Sequence, residues 1–169
     1  MIDREALPYR PCAGAALFNA RGEVLIGKRD AGPEHRFEHA WQLPQGGIDD
    51  GEAPLAAARR ELVEETSVRS ASVIGEIGDW LTYELPPHLL GTAWKGRYRG
   101  QKQKWFAFRF EGEDSEVNVT APVSGKKPEF TDWRWERLQR LPELVIPFKR
   151  DVYRRIVAAF ADLSAAPEG

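Results

Sequence analysis

The side chains with most chemistry in them crowd into one stretch, residues 42–68, QLPQGGIDDGEAPLAAARRELVEETSV. Glu61, Glu64 and Glu65 stand at i, i+3 and i+4, a spacing that puts three carboxylates on one face of a helix. Residues 55–66 are good helix formers, and Pro54 sits where a first turn tolerates it. The acidic grouping works against that helix. Like charges stacked this way cost a bare helix about 0.2–0.5 kcal/mol per pair. Anions near a helix C-terminus also oppose the macrodipole. A hard divalent cation removes both penalties, and it prefers oxygen ligands of this kind. The rival reading is a solvated acidic helix face.

The flanking residues separate the two readings. Gly46 is followed after five residues by Glu52, and Glu52 after seven by Arg60-Glu61-Leu62-Val63-Glu64-Glu65-Thr66-Ser67-Val68. This order resembles the box of the Nudix hydrolases, and a solvated face does not account for Gly46, Glu52 and Arg60 at those offsets. One position departs from it: Ser67 stands where the family has glycine. It corresponds to a helix C-cap that asks for left-handed backbone, which a non-glycine residue adopts at a cost of about 1–2 kcal/mol.

The resemblance implies a Mg²⁺-dependent hydrolase, with Mn²⁺ or another divalent cation as a substitute. It makes Glu61, Glu64 and Glu65 metal ligands and adds a backbone carbonyl at Gly46 or Gly47. Arg60, one turn from Glu64, would orient the carboxylates by bidentate pairing. Glu52 would support the loop through Arg60. The physical logic is that carboxylates alone repel a polyphosphate, and a bound cation reverses the sign of the field.

Five further blocks resemble the bacterial RNA pyrophosphohydrolases and, equally, the asymmetric diadenosine tetraphosphate hydrolases. They are YRP at 9–11, WQLPQGGID at 41–49, GQKQKWF at 100–106, PEFTDWRW at 128–135 and FKRDVYRR at 148–155. The relatives place a further catalytic Glu in a short acidic segment after the QKQKWF strand. In EGEDSEVNV that position is assigned to Glu116, as fourth metal ligand and candidate general base; otherwise it is a solvated loop acid. Arg10 would reach the 5′ phosphates. Arg29 and Phe148 are candidates to sandwich a base, with Phe148 as plain core the other possibility. Lys149 could reach a phosphate, and Tyr83 either lines the pocket or packs. Residues 95–104, KGRYRGQKQK, carry five cations in ten positions. They read either as solvated surface or as a phosphate clamp, with Lys102 and Lys104 on one face of a strand and Gln101 and Gln103 on the other.

The expected activity is removal of pyrophosphate from 5′-triphosphorylated RNA, a step of RNA 5′-end processing and mRNA decay, or hydrolysis of dinucleoside polyphosphates. The partners implied are those substrates, with no membrane and no stable protein partner. A module that senses a nucleotide without cleaving it is the alternative, and it would be expected to have lost box carboxylates.

Composition sets the bounds. At 169 residues the chain is expected to form one domain over 1–169, with a tail at 164–169. It is 42% hydrophobic, 30% charged and 11% aromatic, with a net charge of −2, so overall charge does not advertise nucleic-acid binding. Cys12 is alone, which excludes a disulfide framework and makes it a small buried hydrophobe. No apolar run approaches membrane-spanning length, and a cytoplasmic setting is expected. His35, His39 and His88 have no ligand-like spacing.

Around the box, strands are expected at 12–18, 23–29, 41–43, 73–85, 102–110, 116–119 and 131–136. The strand at 73–85 is read as broken by Gly75 and Gly78. Residues 30–40 and 86–101 read as loops. A short helix is expected at 137–141 and a longer one at 149–163, with Val152, Ile156, Ala159, Phe160 and Leu163 packed inward. This mixture is α/β or α+β with a mixed sheet. The resemblance sharpens it to a Nudix fold, a mixed sheet sandwiched between helices. Trp133 and Trp135 are read as structural.

Overall fold

The computed structural model of the protein describes residues 2–29 and 40–164. The expected loop at 30–40, with His35 and His39, lies almost entirely outside the described residues, as does the tail beyond Ser164. Strands are β1 (Tyr9–Phe18), β2 (Val24–Arg29), β3 (Trp41–Gln42), β4 (Gln45–Gly47), β5 (Ala71–Glu84), β6 (Gly100–Phe110) and β7 (Phe130–Glu136). Helices are α1 (Pro54–Thr66), α2 (Leu141–Leu144) and α3 (Arg150–Phe160).

One mixed sheet runs β3-β2-β1-β6-β5, with β4 paired to β1 and β7 to β2. β1 and β6 are parallel along their length, from Tyr9 opposite Gly100 to Phe18 opposite Arg109. The remaining pairs are antiparallel. β1 meets β2 only at Phe18 and Val24, while its first half pairs with β4, Cys12 opposite Gly47 and Ala13 opposite Gly46. The glycine pair is therefore a short strand on the flank of β1.

Alternation along the strands builds two cores. On one face Ala13, Ala15, Leu17, Phe106 and Phe108 pack against Ala57, Ala58 and Leu62 of α1. On the other, Ala16, Phe18, Trp105 and Ala107 pack against Val152, Ile156 and Phe160 of α3. The expected sandwich is present. Trp133 and Trp135 pack on the α1 side.

Four local expectations are corrected. Residues 114–116 form a 3₁₀ turn instead of a strand, because the Glu116 and Val117 N–H groups bond back to Glu113 and Asp114 carbonyls. β5 runs unbroken through Gly75 and Gly78, and the irregularity appears as register shifts at Val73/Gly75 and Ile77/Leu81. The short helix is a 3₁₀ turn at 138–140 leading into α2. In α3 Tyr153 is buried and Ala159 is exposed, since α3 turns its stripe toward Trp105 and Leu43.

Candidate active site

α1 begins at Pro54 and is capped after Thr66 by Ser67, which takes φ 71 and whose N–H bonds to the Val63 carbonyl. The left-handed cap expected at this position is there, carried by serine. Packing of Ala57, Ala58 and Leu62 turns Glu61 and Glu65 toward β4, where they are buried at 9% and 5% exposure. The approach to β4 is close: a Cβ at Gly46 would collide with the Glu61 carboxylate, and one at Gly47 would lie 2.6 Å from Arg10 Nη2. A side chain at either position would push the Glu61 carboxylate or the Arg10 guanidinium aside.

Arg60 organises the group. Its Nε and Nη2 donate to Glu52 Oε2 and Oε1 at 2.8 Å each, and Nη2 also donates to the Gly47 carbonyl at 2.8 Å. Nη1 donates to Glu61 Oε1 at 2.8 Å and to Glu64 Oε2 at 3.2 Å. The Glu52 side chain also accepts from the Asp49 N–H at 3.0 Å, closing the acidic loop. Charge-assisted pairing of this density holds side chains in fixed geometry. Glu64 Oε1 accepts from Lys126 Nζ at 2.8 Å, and Glu65 Oε2 from the Gln45 N–H at 3.1 Å. Among the described residues no three of these acids converge as a ready-made ion cage, and Arg60 and Lys126 already take carboxylate oxygens that an ion would use.

The electrostatics carry a strain that a ligand could relieve. Arg60 holds Glu52 down at about 2. Burial raises Glu61 despite Arg60 beside it. Burial, then Glu61, then Glu129 push Glu65 well above the usual carboxylate range. Gln45 Oε1 is buried without a hydrogen-bond partner. Hard oxygen donors, two of them reluctant anions, beside an unsatisfied amide oxygen suit a hard divalent cation. Glu61, Glu64 and Glu65 would hold it.

These groups open on a cavity of about 520 Å³. It is lined by the acids Glu61, Glu64, Glu65 and Glu129 and by the cations Arg10, Arg29, Lys126, Lys127 and Lys149. Tyr83, Phe148 and Trp94 supply aromatic surface. Phe148 meets Tyr83, with centroids 5.5 Å apart, and Arg10 lies over Trp94 at 5.6 Å. Lys149 is 5% exposed, 3.3 Å from Gln42 Oε1 and over the Tyr83 ring. Burial lowers it to about 7. Burial raises the Cys12 thiol, which lies beside Arg10, to about 11.

Of the sequence candidates, Arg10, Arg29, Gly47, Glu61, Glu64, Glu65, Tyr83, Phe148 and Lys149 line this one cavity, and Arg60 lies behind it. Two expectations are corrected. Glu116 stands apart: its Oε2 accepts from the Arg69 and Ser70 N–H groups at 2.8 and 2.9 Å, tying the turn after α1. The acid that does reach the pocket is Glu129, in the PEF of residues 128–130. Lys102 and Lys104 do not clamp the cavity. Their parity sends them to the opposite face of β6, over the Trp80 ring at 4.8 and 5.1 Å, while Gln101 lines the pocket. Trp94, Lys126 and Lys127 had no periodic signal, because loops place them.

The whole arrangement has relatives. An RNA pyrophosphohydrolase of Rhodopseudomonas palustris (strain BisB18) is 58% identical over 165 residues, 97% of this chain and 94% of that protein. An RNA pyrophosphohydrolase of Mesorhizobium japonicum is 54% identical over 166 residues, 96% of each. Among solved structures, a C. elegans Ap4A hydrolase in a binary complex has a TM-score of 0.58 at 20% identity, covering 89% of this chain and 98% of that one. The E. coli dihydroneopterin triphosphate pyrophosphohydrolase has a TM-score of 0.61 at 18% identity, with coverages of 89% and 98%. At such identity these two speak for the fold. The NUDIX domain matches residues 8–156, so the carboxylate helix, the strand it approaches and the first part of the helix that backs the sheet fall inside one family unit. The chain belongs to the NUDIX domain family.

Proposed function

We propose that this protein is a divalent-cation-dependent hydrolase, using Mg²⁺, that removes pyrophosphate from 5′-triphosphorylated RNA. The observation that carries this is one cavity lined together by three carboxylates of a single helix face and by five cations. A polyphosphate chain needs both kinds of group. Names of relatives near 58% identity along almost the whole chain support the same substrate.

Glu61, Glu64 and Glu65 would hold the divalent cation, which would supply neutralisation of phosphoryl charge and a more acidic water. The chain's own residues do the remainder. Arg60 keeps Glu61 and Glu64 aimed inward, and Glu52 keeps Arg60 in place. Arg10, Arg29, Lys126, Lys127 and Lys149 take phosphate oxygens as point charges and forks. Tyr83 and Phe148 hold the first base by stacking. Water adds to phosphorus, the phosphoanhydride bond breaks, and pyrophosphate leaves. The water proton goes to a carboxylate of the cavity lining, where Glu129 takes the place once expected of Glu116. Catalysis then rests on positioning and charge.

A dinucleoside polyphosphate is the second substrate. A second aromatic station, Trp94 beside Arg10, could receive the other base. kcat/KM on triphosphate-ended RNA and on diadenosine tetraphosphate, measured side by side, ranks the two. No phosphate release above background with or without Mg²⁺ would instead mean a nucleotide sensor, against which the retained Arg60, Glu61, Glu64 and Glu65 argue. No helix among the described residues is long and apolar enough to cross a membrane. The cytoplasm is the proposed compartment.

A further inference from the structure

Residue 67 is where this chain departs from the glycine of the box. Left-handed backbone is strained for serine and free for glycine, so ending the helix does not by itself favour serine. The side chain shows what serine adds. Oγ donates to the Asn118 carbonyl at 2.8 Å and accepts from the Val123 N–H at 3.0 Å. Ser67 is 3% exposed, so water competes little for these bonds. The neighbouring contacts run the same way: the Asn118 N–H reaches the Thr66 carbonyl at 2.9 Å, and Asn118 Oδ1 accepts from the Ala121 N–H at 2.9 Å. The segment pinned by these bonds leads straight into Lys126, Lys127 and Glu129, three charged residues that line the cavity. Lys126 already touches Glu64.

We propose that Ser67 is a positioning residue for hydrolysis. Its hydroxyl fastens loop 118–125 to the end of α1, and so fixes the cationic and acidic groups that follow against the carboxylates. Which of those groups touch substrate rests on the hydrolase reading above; the tie itself is geometric. Glycine at 67 would end the helix equally well and leave the loop unfastened. Serine accepts a strained backbone in exchange for a cross-link between the metal-binding helix and the phosphate-binding loop.

Two variants separate the hydroxyl from the strain. S67G removes both, and S67A removes the hydroxyl alone. If the tie positions the site, kcat/KM on triphosphate-ended RNA falls about tenfold or more in both. Amide exchange at Val123 quickens about tenfold in both, while exchange at the Ser67 position, bonded to Val63, is unchanged in S67A. Tm is higher for S67G than for S67A, so loss of activity does not follow loss of stability. The proposal is overturned if kcat/KM stays within twofold of the parent in both variants, or if only S67A loses activity, which would trace the effect to strain. Inactivity of the parent on this RNA would sink the hydrolase reading instead. In that case Val123 exchange alone decides whether the tie exists, and unchanged exchange in both variants overturns it.

Discussion

Arg60 grips Glu52 by both carboxylate oxygens, 2.8 Å at each, eight residues back in the chain. The grip fixes the loop before α1 to the face of α1 that carries Glu61 and Glu64. A lysine offers a single point charge and cannot reproduce the fork. R60K is expected to lower kcat by tenfold or more and to cost about 1.5–3 kcal/mol of stability. Steady-state kinetics with thermal unfolding checks both, and an unchanged kcat would free Arg60 from the site.

The same pair sets an acid limb. Glu52 titrates near 2 in the folded chain against an ordinary 4.5, because Arg60 and the Asp49 N–H favour its charged form. A depressed folded pKa means stability that is complete above about pH 4.5 and lost as pH falls toward 2. E52Q should lack this part of the acid loss. Denaturant midpoints for both proteins between pH 5 and pH 2.5, if parallel, would contradict it.

Two glutamates are set against each other by the fold. E129Q is expected to lower kcat by about a hundredfold, since its carboxylate lines the same cavity as Glu65 and is near enough to raise it. E116Q should leave kcat within a few-fold and reduce stability by about 1 kcal/mol, the worth of its bonds to the 69–70 turn. The reverse ranking in single-turnover assays would return Glu116 to the site.

Salt dependence separates the two sets of cations. R10A should flatten the slope of log affinity against log salt for RNA by about 0.7, the value for one phosphate contact on a single strand. K104A should leave the slope unchanged, because Lys104 is spent on the Gly78 carbonyl and the Trp80 ring. Binding titrations from 50 to 200 mM salt make the comparison, and a flattened slope for K104A would restore the clamp at 102–104.

What the sequence made legible follows from period and spacing. The i, i+3, i+4 carboxylates share one helix face, and Val152, Ile156 and Phe160 of the α3 stripe are buried as read, because each depends on near neighbours; Ala159, at the edge of that stripe, is exposed. Lys102 and Lys104 show where this stops. Alternation in β6 separated lysine from glutamine, but which face meets the cavity depends on the parallel partner β1, opposite Arg10. Glu116 and Glu129 show the same limit for loops. Both follow β6, Glu116 among other acids and Glu129 just after Lys126 and Lys127, and only the path of the loop across the end of α1 decides which one arrives. Trp94 is placed by left-handed backbone at 94 and 95, for which neither residue type gives a signal.

Lys149 offers a test of the cavity's polarity that needs no turnover. It is enclosed, and burial together with Arg29 brings it to about 7 from an ordinary 10.5. Between those values the unfolded chain holds a proton that the folded chain lacks, so stability should rise with pH from about 7 to 10.5 and be flat with respect to this group below 7. K149M should abolish that rise. An arriving polyphosphate supplies the negative charge that burial withholds, which favours the ammonium and draws a proton from solution. Binding of an uncleavable triphosphate analogue at pH 8 is therefore expected to take up a proton through Lys149, with little uptake by this group at pH 6, where it is already charged. Calorimetry in two buffers of different ionisation heat measures this. A binding heat at pH 8 independent of buffer, or the same uptake in K149M, would mean that the phosphates lie out of reach of Lys149.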